Sequence, residues 1–177
     1  MLEFPLLADG VPPDKLYPLD IERAFKMFTK IKPYVTKWWV TGSTPPQLLS
    51  DKEVVLTSSY HGRIAKLIED GAPVAIEWNQ GLIVGQYWAI VKGTKNYKNA
   101  IKFIEFATQA ENQANFVNRY SVSPVNKRAF DFVDPKKVDY IGTSPKNIKG
   151  QIFASIEWWA ENRERVIERW NKWILEK

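Results

Sequence analysis

Short runs of β-branched and aromatic residues alternate along this chain with stretches whose apolar residues recur at helical spacing, and that alternation constrains the fold more than any other feature. Tyr34–Val40, Glu53–Ser58, Val74–Trp78 and Leu82–Val91 read as strands. Gly85 inside the last run marks a kink or a close approach. Asp20 can cap a helix that sets Ile21, Ala24, Phe25, Phe28 and Ile31 on one face, and Pro33 stops it. Thr44 followed by Pro45 opens a short helix carrying Leu48 and Leu49. Ile64, Leu67 and Ile68 point inward from a helix ended by Gly71. Asn96 can cap Tyr97–Thr108, whose stripe is Ala100, Ile101, Ile104 and Ala107. Shorter helices are expected near Glu111–Asn118 and Asn126–Phe132, with Val122–Val125 extended and Tyr140–Ile148 a loop. The last helix is expected over Ile152–Leu175, with Ile152, Ile156, Trp159, Val166, Trp170 and Trp173 at helical spacing. Strands alternating with helices predict an α/β fold with a largely parallel sheet.

Composition narrows the function. Aromatic residues make up 14% of the 177, with eight Trp, and Trp and Tyr line ligand clefts as well as cores. The net charge of +5 is mild and its Lys and Arg residues are interleaved with apolar or acidic ones, so no nucleic-acid partner is expected. The absence of cysteine removes disulfides, thiolate catalysis and Cys-based zinc sites. The lone His61 cannot make a two-histidine metal site, and no metal or cofactor is expected. No apolar run approaches the ~20 residues of a membrane span. Met1-Leu2-Glu3-Phe4-Pro5 has no basic start, long apolar stretch or small-residue cleavage site, so no signal peptide is read in this chain. Gly81–Gly85 lacks the Lys-Ser/Thr that would make it a phosphate loop.

Several segments carry a family likeness. Glu53-Val54-Val55-Leu56-Thr57-Ser58-Ser59-Tyr60-His61-Gly62-Arg63 resembles a Gly-Glu-Val start, a short strand and an aromatic-x-Gly turn. Gly71-Ala72-Pro73-Val74 and its continuation to Trp78 resemble the strand that follows. Tyr87-Trp88 through Lys92-Gly93, then Asn96 and Ala100–Ala107, are similar to a Trp-x-Val-Pro-Lys-Gly strand and its helix. Ser123-Pro124-Val125-Asn126 is similar to a Gly-Pro-Val-Asn turn. In this order and spacing they resemble the spermidine/putrescine-binding type of ABC-importer solute-binding protein, over its C-terminal half only.

The resemblance implies an incomplete α/β fold of the periplasmic-binding-protein type II. Residues 1–84 would form part of lobe two, 85–139 the returning part of lobe one, and 140–177 the C-terminal helix of lobe two, with Gly85 at the return crossing. It implies a solute-binding component rather than an enzyme. The ligand would be a small organic cation such as a polyamine, the partner an ABC transporter permease, and the location periplasmic. Half a clamp leaves strand edges and apolar faces bare, which predicts a homo-oligomer or a partner carrying the missing N-terminal half. Two other readings stay open. One is an oligomeric scaffold with vestigial ligand binding; the other is a hydrolase using Glu77 or His61.

The candidate ligand-binding residues are Tyr60, Gln86, Trp88, His61, Ser43, Trp159 and Glu77. Tyr60 stands at the family's aromatic position and can lay its ring on an alkyl chain or cation, or simply cap a strand end in the core. His61 can contact ligand or fill a loop. Gln86 occupies a position where the family commonly has Asp, so it offers a polyamine ammonium an acceptor but no countercharge. Glu77 can substitute, or be a solvated edge residue. Trp88 belongs to the hinge side of the cleft. Trp38 and Trp39 followed by Ser43 resemble a Trp-rich strand and Ser-Gly turn, which can hold an anion or merely cap a helix. Trp158 and Trp159 resemble a late aromatic pair, of which one can face the cleft or cover lobe two. Glu77 and Glu157, each beside Trp, are the one carboxylate pair that glycosidase chemistry would use.

Overall fold

The helices of this reading form close to where the sequence places them; the strands mostly do not. The computed structural model describes residues 1–176. In chain order its elements are α1 (Glu3–Ala8), α2 (Ile21–Ile31), α3 (Thr44–Ser50), α4 (His61–Glu69), β1 (Leu82–Ile83), α5 (Tyr97–Ala107), α6 (Ala110–Tyr120), β2 (Ile152–Phe153) and α7 (Ile156–Leu175). Short 3-10 turns cover Pro13–Lys15, Lys32–Tyr34, Lys127–Asp131 and Pro135–Tyr140. The chain divides into two compact units. One comprises Met1–Trp38, Gln80–Gly85 and everything from Ile152 onward; the other comprises Trp39–Asn79 and Gln86–Gln151. The boundaries therefore fall after Trp38, Asn79, Gly85 and Gln151, where the sequence reading divided the chain after residues 84 and 139.

The first unit is built on α2 and α7. The Asp20 side chain accepts from Arg23 N at 3.0 Å, which caps α2 as its sequence position requires. Ala24 and Phe25 then face inward with Ile21, and Pro33 follows the helix in its 3-10 turn. Trp173 on α7 is 1% exposed; its ring meets Phe25 and Phe28, and its indole N–H donates to Thr29 Oγ1 at 2.8 Å. Trp38 and Trp170 complete an aromatic cluster around it. Lys32 Nζ donates to the carbonyls of Trp173, Ile174 and Glu176, and stands 4.5 Å from the Trp173 ring centroid. A cation there complements the negative end of the helix and adds to the bond that Trp173 O accepts from Glu176 N at 3.1 Å.

Helix α7 begins at Ile156, capped by Ser155, whose Oγ accepts from Trp158 N at 3.2 Å. The sequence reading started this helix at Ile152. Ile152 instead pairs in parallel with Leu82, with Ile152 N donating to Gly81 O at 2.8 Å. That two-residue pairing makes the one sheet found among the described residues.

The second unit packs Ala114 and Val117 of α6 with Ala129, Val133 and Ile141. Here the expected strands Glu53–Ser58 and Val74–Trp78 are absent as such, and of Leu82–Val91 only Leu82–Ile83, in the first unit, is a strand. Tyr34–Val40 on the unit boundary is likewise not a strand: it opens in a 3-10 turn and continues without regular structure. Residues 55–59, 75–78 and 85–90 take part in no backbone–backbone hydrogen bond among the described residues. A strand is defined by its ladder partner, and these segments have none. Their patterning persists all the same. From Gly71 to Asn79 exposed residues alternate strictly with half-buried ones, the period of a strand lying on one packed face.

Candidate functional site

In the second unit, five stretches of chain converge on the first turn of α4. Tyr60 occupies the N-cap position in extended conformation, and its hydroxyl makes no capping bond. Its ring lies edge-on to Trp39, centroids 6.1 Å apart, while Trp39 Nε1 donates to Ser58 Oγ at 3.2 Å. Gly42 lets the turn approach closely: a Cβ there would sit 3.2 Å from the Tyr60 ring and 3.3 Å from Arg63 Nε. Ser43 follows, exposed, at the N-cap of the seven-residue α3, and its side chain makes no capping bond.

His61 opens α4 and packs its imidazole against Trp78, ring centroids 5.6 Å apart. Its Nε2 is buried with no partner. Burial lowers its proton affinity below that of an ordinary histidine, and the Ser121 carbonyl opposes this in part. Gly62 is required by the same packing, because a Cβ on it would lie 2.7 Å from the Tyr120 carbonyl oxygen. Ser121 takes a left-handed conformation (φ 49°) at the end of α6 to make the turn that brings this carbonyl over. Gly142 packs under Trp78, and Thr143 N donates to Ser123 Oγ at 3.2 Å.

Arg63 is the residue that sequence reasoning passed over. It lies in the motif around Tyr60, in the first turn of α4, and it is exposed beside Gly42. It has no ion-pair or hydrogen-bond partner for its guanidinium among the described residues. The readable signal was a cation in the first turn of a helix, where the macrodipole disfavours positive charge unless an anion is to be bound.

The other candidates are dispersed. Glu77 is exposed and its Oε1 accepts from Asn79 N at 2.6 Å. Gln86 and Trp88 lie in the unpaired segment 85–90, and Trp88 stacks edge-on to Phe103 of α5 at 5.2 Å. No hydrogen bond or ring contact joins Glu77, Gln86 or Trp88 to Tyr60 or Arg63 among the described residues. Trp159 belongs to the first unit. There it donates Nε1–H to Glu3 Oε1 at 2.7 Å, which also accepts from the Tyr17 hydroxyl at 2.6 Å. Glu3 is completely buried and its Oε2 has no partner. Burial and that carboxylate raise the Tyr17 hydroxyl to about 12.

This arrangement is suited to binding rather than to proton transfer. Ser58 Oγ is engaged by Trp39 and is not paired with His61. Glu157 is held ionised below the usual carboxylate range by its own backbone N–H and by the Ser155 hydroxyl, the reverse of what a general acid needs. No group of three or more metal-ligating side chains occurs among the described residues. Two shallow concavities of about 440 and 280 Å³ lie on the first unit, lined by residues such as Asp9, Arg23 and Lys30 or Trp158 and Arg165. Neither contains Tyr60, Gln86, Trp88, His61, Ser43, Trp159 or Glu77, and Trp158 of the late aromatic pair lines the smaller one. What the cluster around α4 offers is one free guanidinium, flat aromatic rings and exposed hydroxyls. That set matches a carboxylate carried on a short apolar stem.

The fold is that of the periplasmic binding proteins, α/β and incomplete. It superposes on a GABA receptor at a TM-score of 0.87, with 35% identity, over 99% of this chain and 54% of that one. An ABC transporter substrate-binding protein from Bradyrhizobium japonicum gives a TM-score of 0.87 at 36% identity, over 97% and 54% of the two chains. AgtB of Agrobacterium tumefaciens, in complex with agropinic acid, gives 0.82 at 33% identity, over 99% and 55%. Residues 1–142 match the family of bacterial extracellular solute-binding proteins, and the chain belongs to that family. The gamma-aminobutyric acid-binding protein of Pseudomonas aeruginosa is 37% identical over 97% of this chain and 50% of its own. The chain thus spans about half the length of the relatives it matches. None of the described helices is long and apolar enough to cross a membrane.

Proposed function

We propose that this chain supplies part of the solute-capturing cleft of an ABC importer, outside the cytoplasm, and that the solute carries a carboxylate. The observation that carries this reading is the unpaired, exposed guanidinium of Arg63, beside the Gly42 turn that the Tyr60 ring also meets. Relatives named for GABA and for agropinic acid fit it, since both molecules bear a carboxyl group. The two compact units are assigned to the two lobes of the clamp. Arg63 anchors the carboxylate by charge-assisted hydrogen bonds while Tyr60 and Trp39 cover the apolar stem. An ABC permease is the proposed recipient of the loaded protein.

The polyamine reading has less support. A polyamine presents only ammonium groups, and Gln86 gives them no countercharge. Arg63 would repel them. The test is an NMR titration of the labelled chain with GABA, spermidine and putrescine in parallel. With the contacts of this one cluster, GABA is expected to bind at about millimolar affinity, with shifts centred on residues 60–63. Arg63→Met should weaken it about tenfold or more, the loss expected for a hydrogen bond to a charged group. Spermidine binding of equal strength in both forms, with GABA silent, would reverse the assignment.

A further inference from the structure

The first turn of α4 carries Arg63, yet no side chain caps it: the Tyr60 hydroxyl makes no capping bond. A helix start without a capping side chain frays unless packing holds it. Here the packing comes from the two residues between Tyr60 and Arg63. Gly62 lies so close to the Tyr120 carbonyl that a Cβ would stand 2.7 Å from the oxygen. His61 lays its ring against Trp78, centroids 5.6 Å apart and planes at 61°. Trp78 is backed in turn by Gly142, where a Cβ would stand 3.2 Å from the indole. His61 Nε2 is buried and meets no partner, so the ring is seated as an apolar group would be. Arg63 follows this clamp, exposed, with its backbone N–H donating to Tyr60 O at 3.1 Å.

We infer that His61 is a positioning residue for solute capture: its neutral ring, seated on Trp78, fixes the first turn of α4 and with it the direction in which Arg63 is presented. This rests on the reading of Arg63 as the carboxylate anchor. A proton on His61 undoes the seat. The imidazolium would be a buried cation with its Nε2–H unanswered, at a helix start and two residues from the Arg63 cation, and each of these costs free energy. No carboxylate bonds to the ring among the described residues. On the elements around it, Glu77 accepts from Asn79 N, and the Arg119 guanidinium lies over the Tyr120 ring. On α4 itself Lys66 is paired with Asp70, and Glu69 with Lys137. The loop 141–143 that backs Trp78 has no titratable side chain. Burial lowers the proton affinity of His61, in keeping with this seat. Protonation therefore drives the ring off Trp78, frees the first turn and loosens Arg63, and carboxylate capture weakens on the acid side.

The test is a pH titration followed by NMR, simplified because His61 is the one histidine of the chain. Its ring protons, the Arg63 Nε–H and the Gly42 amide are followed downward from about pH 7.5, over the range in which far-ultraviolet dichroism holds constant. Without solute, the Arg63 and Gly42 signals should move with the same midpoint as the His61 ring. With saturating GABA the His61 midpoint should fall, and by linkage GABA affinity should weaken about three- to tenfold on the acid side. GABA's own groups ionise near about 4 and about 10, so its charges stay fixed over this range. The sign separates positioning from simple attraction, because a solute carboxylate acting through charge alone would stabilise the imidazolium and raise the midpoint. In His61→Asn the affinity should no longer depend on pH. A His61 midpoint that GABA leaves unchanged or raises overturns the proposal, and so do Arg63 and Gly42 signals indifferent to the His61 titration. If GABA fails to bind at any pH, the carboxylate reading falls, while the solute-free comparison of Arg63 with His61 still decides the positioning role.

Discussion

His61 illustrates how one side chain can be pinned by packing and still report on the whole second unit. Its ring fills the space between Trp78 and the end of α6, and Gly62 beside it leaves no room for even a methyl group against the Tyr120 carbonyl. The imidazole is held neutral by burial, so it takes up a proton less readily than in the unfolded chain. As pH falls below the ordinary histidine value of about 6.5, the unfolded state therefore binds more protons than the folded one, and stability is lost toward the lowered folded value. In His61→Gln this contribution vanishes. Urea unfolding at about pH 7.5 and about pH 5.5 should show the wild-type midpoint dropping further than that of the variant. Parallel drops would mean that the imidazole is solvated in the folded state.

Among the elements, α7 shows what can and cannot be read from a one-dimensional pattern. Its Trp spacing was legible because a 3.6-residue period needs only the helix itself. The role of Lys32, 141 residues from the carbonyl it meets, was not legible, because nothing in local sequence links a loop lysine to a distant helix end. Nor was the role of Trp159, whose partner Glu3 lies at the other end of the chain. The strands failed for a related reason: Val54–Leu56, Val74–Ile76 and Tyr87–Val91 have β-type composition, but a ladder is a property of two segments, and none of these pairs with another among the described residues. Around α4, Tyr60 and His61 were found from a motif, whereas Arg63 emerged only once Gly42 was seen against it. The Lys32 contact carries its own prediction. Lys32→Met keeps the aliphatic stem but takes the ammonium donor from the carbonyls of Trp173, Ile174 and Glu176 and removes the cation over Trp173. The expected loss is about 1–2 kcal/mol in urea unfolding, summing a helix-end charge and a cation–π contact. A change within error would show that water replaces the ammonium at no cost.

At the scale of the molecule, the two units differ in how much they bury. The first encloses eleven fully buried apolar residues centred on Phe25 and Trp173, while the corresponding cluster of the second has five. Backbone segments that would normally lock such a unit into a sheet are unpaired in the second, so its local unfolding free energy is set by α4, α6 and the turns after them. Tryptophan is unequally shared as well. Trp38, Trp158, Trp159, Trp170 and Trp173 lie in the first unit, and only Trp39, Trp78 and Trp88 in the second. Fluorescence therefore reports mainly the first unit, whereas far-ultraviolet dichroism weighs helices of both. On titration with urea, the dichroism should begin to fall before the fluorescence does, giving two transitions that do not superimpose. Superimposable curves for the chain alone would mean that the two units unfold as one cooperative body, with the bare segments contributing no weakness of their own.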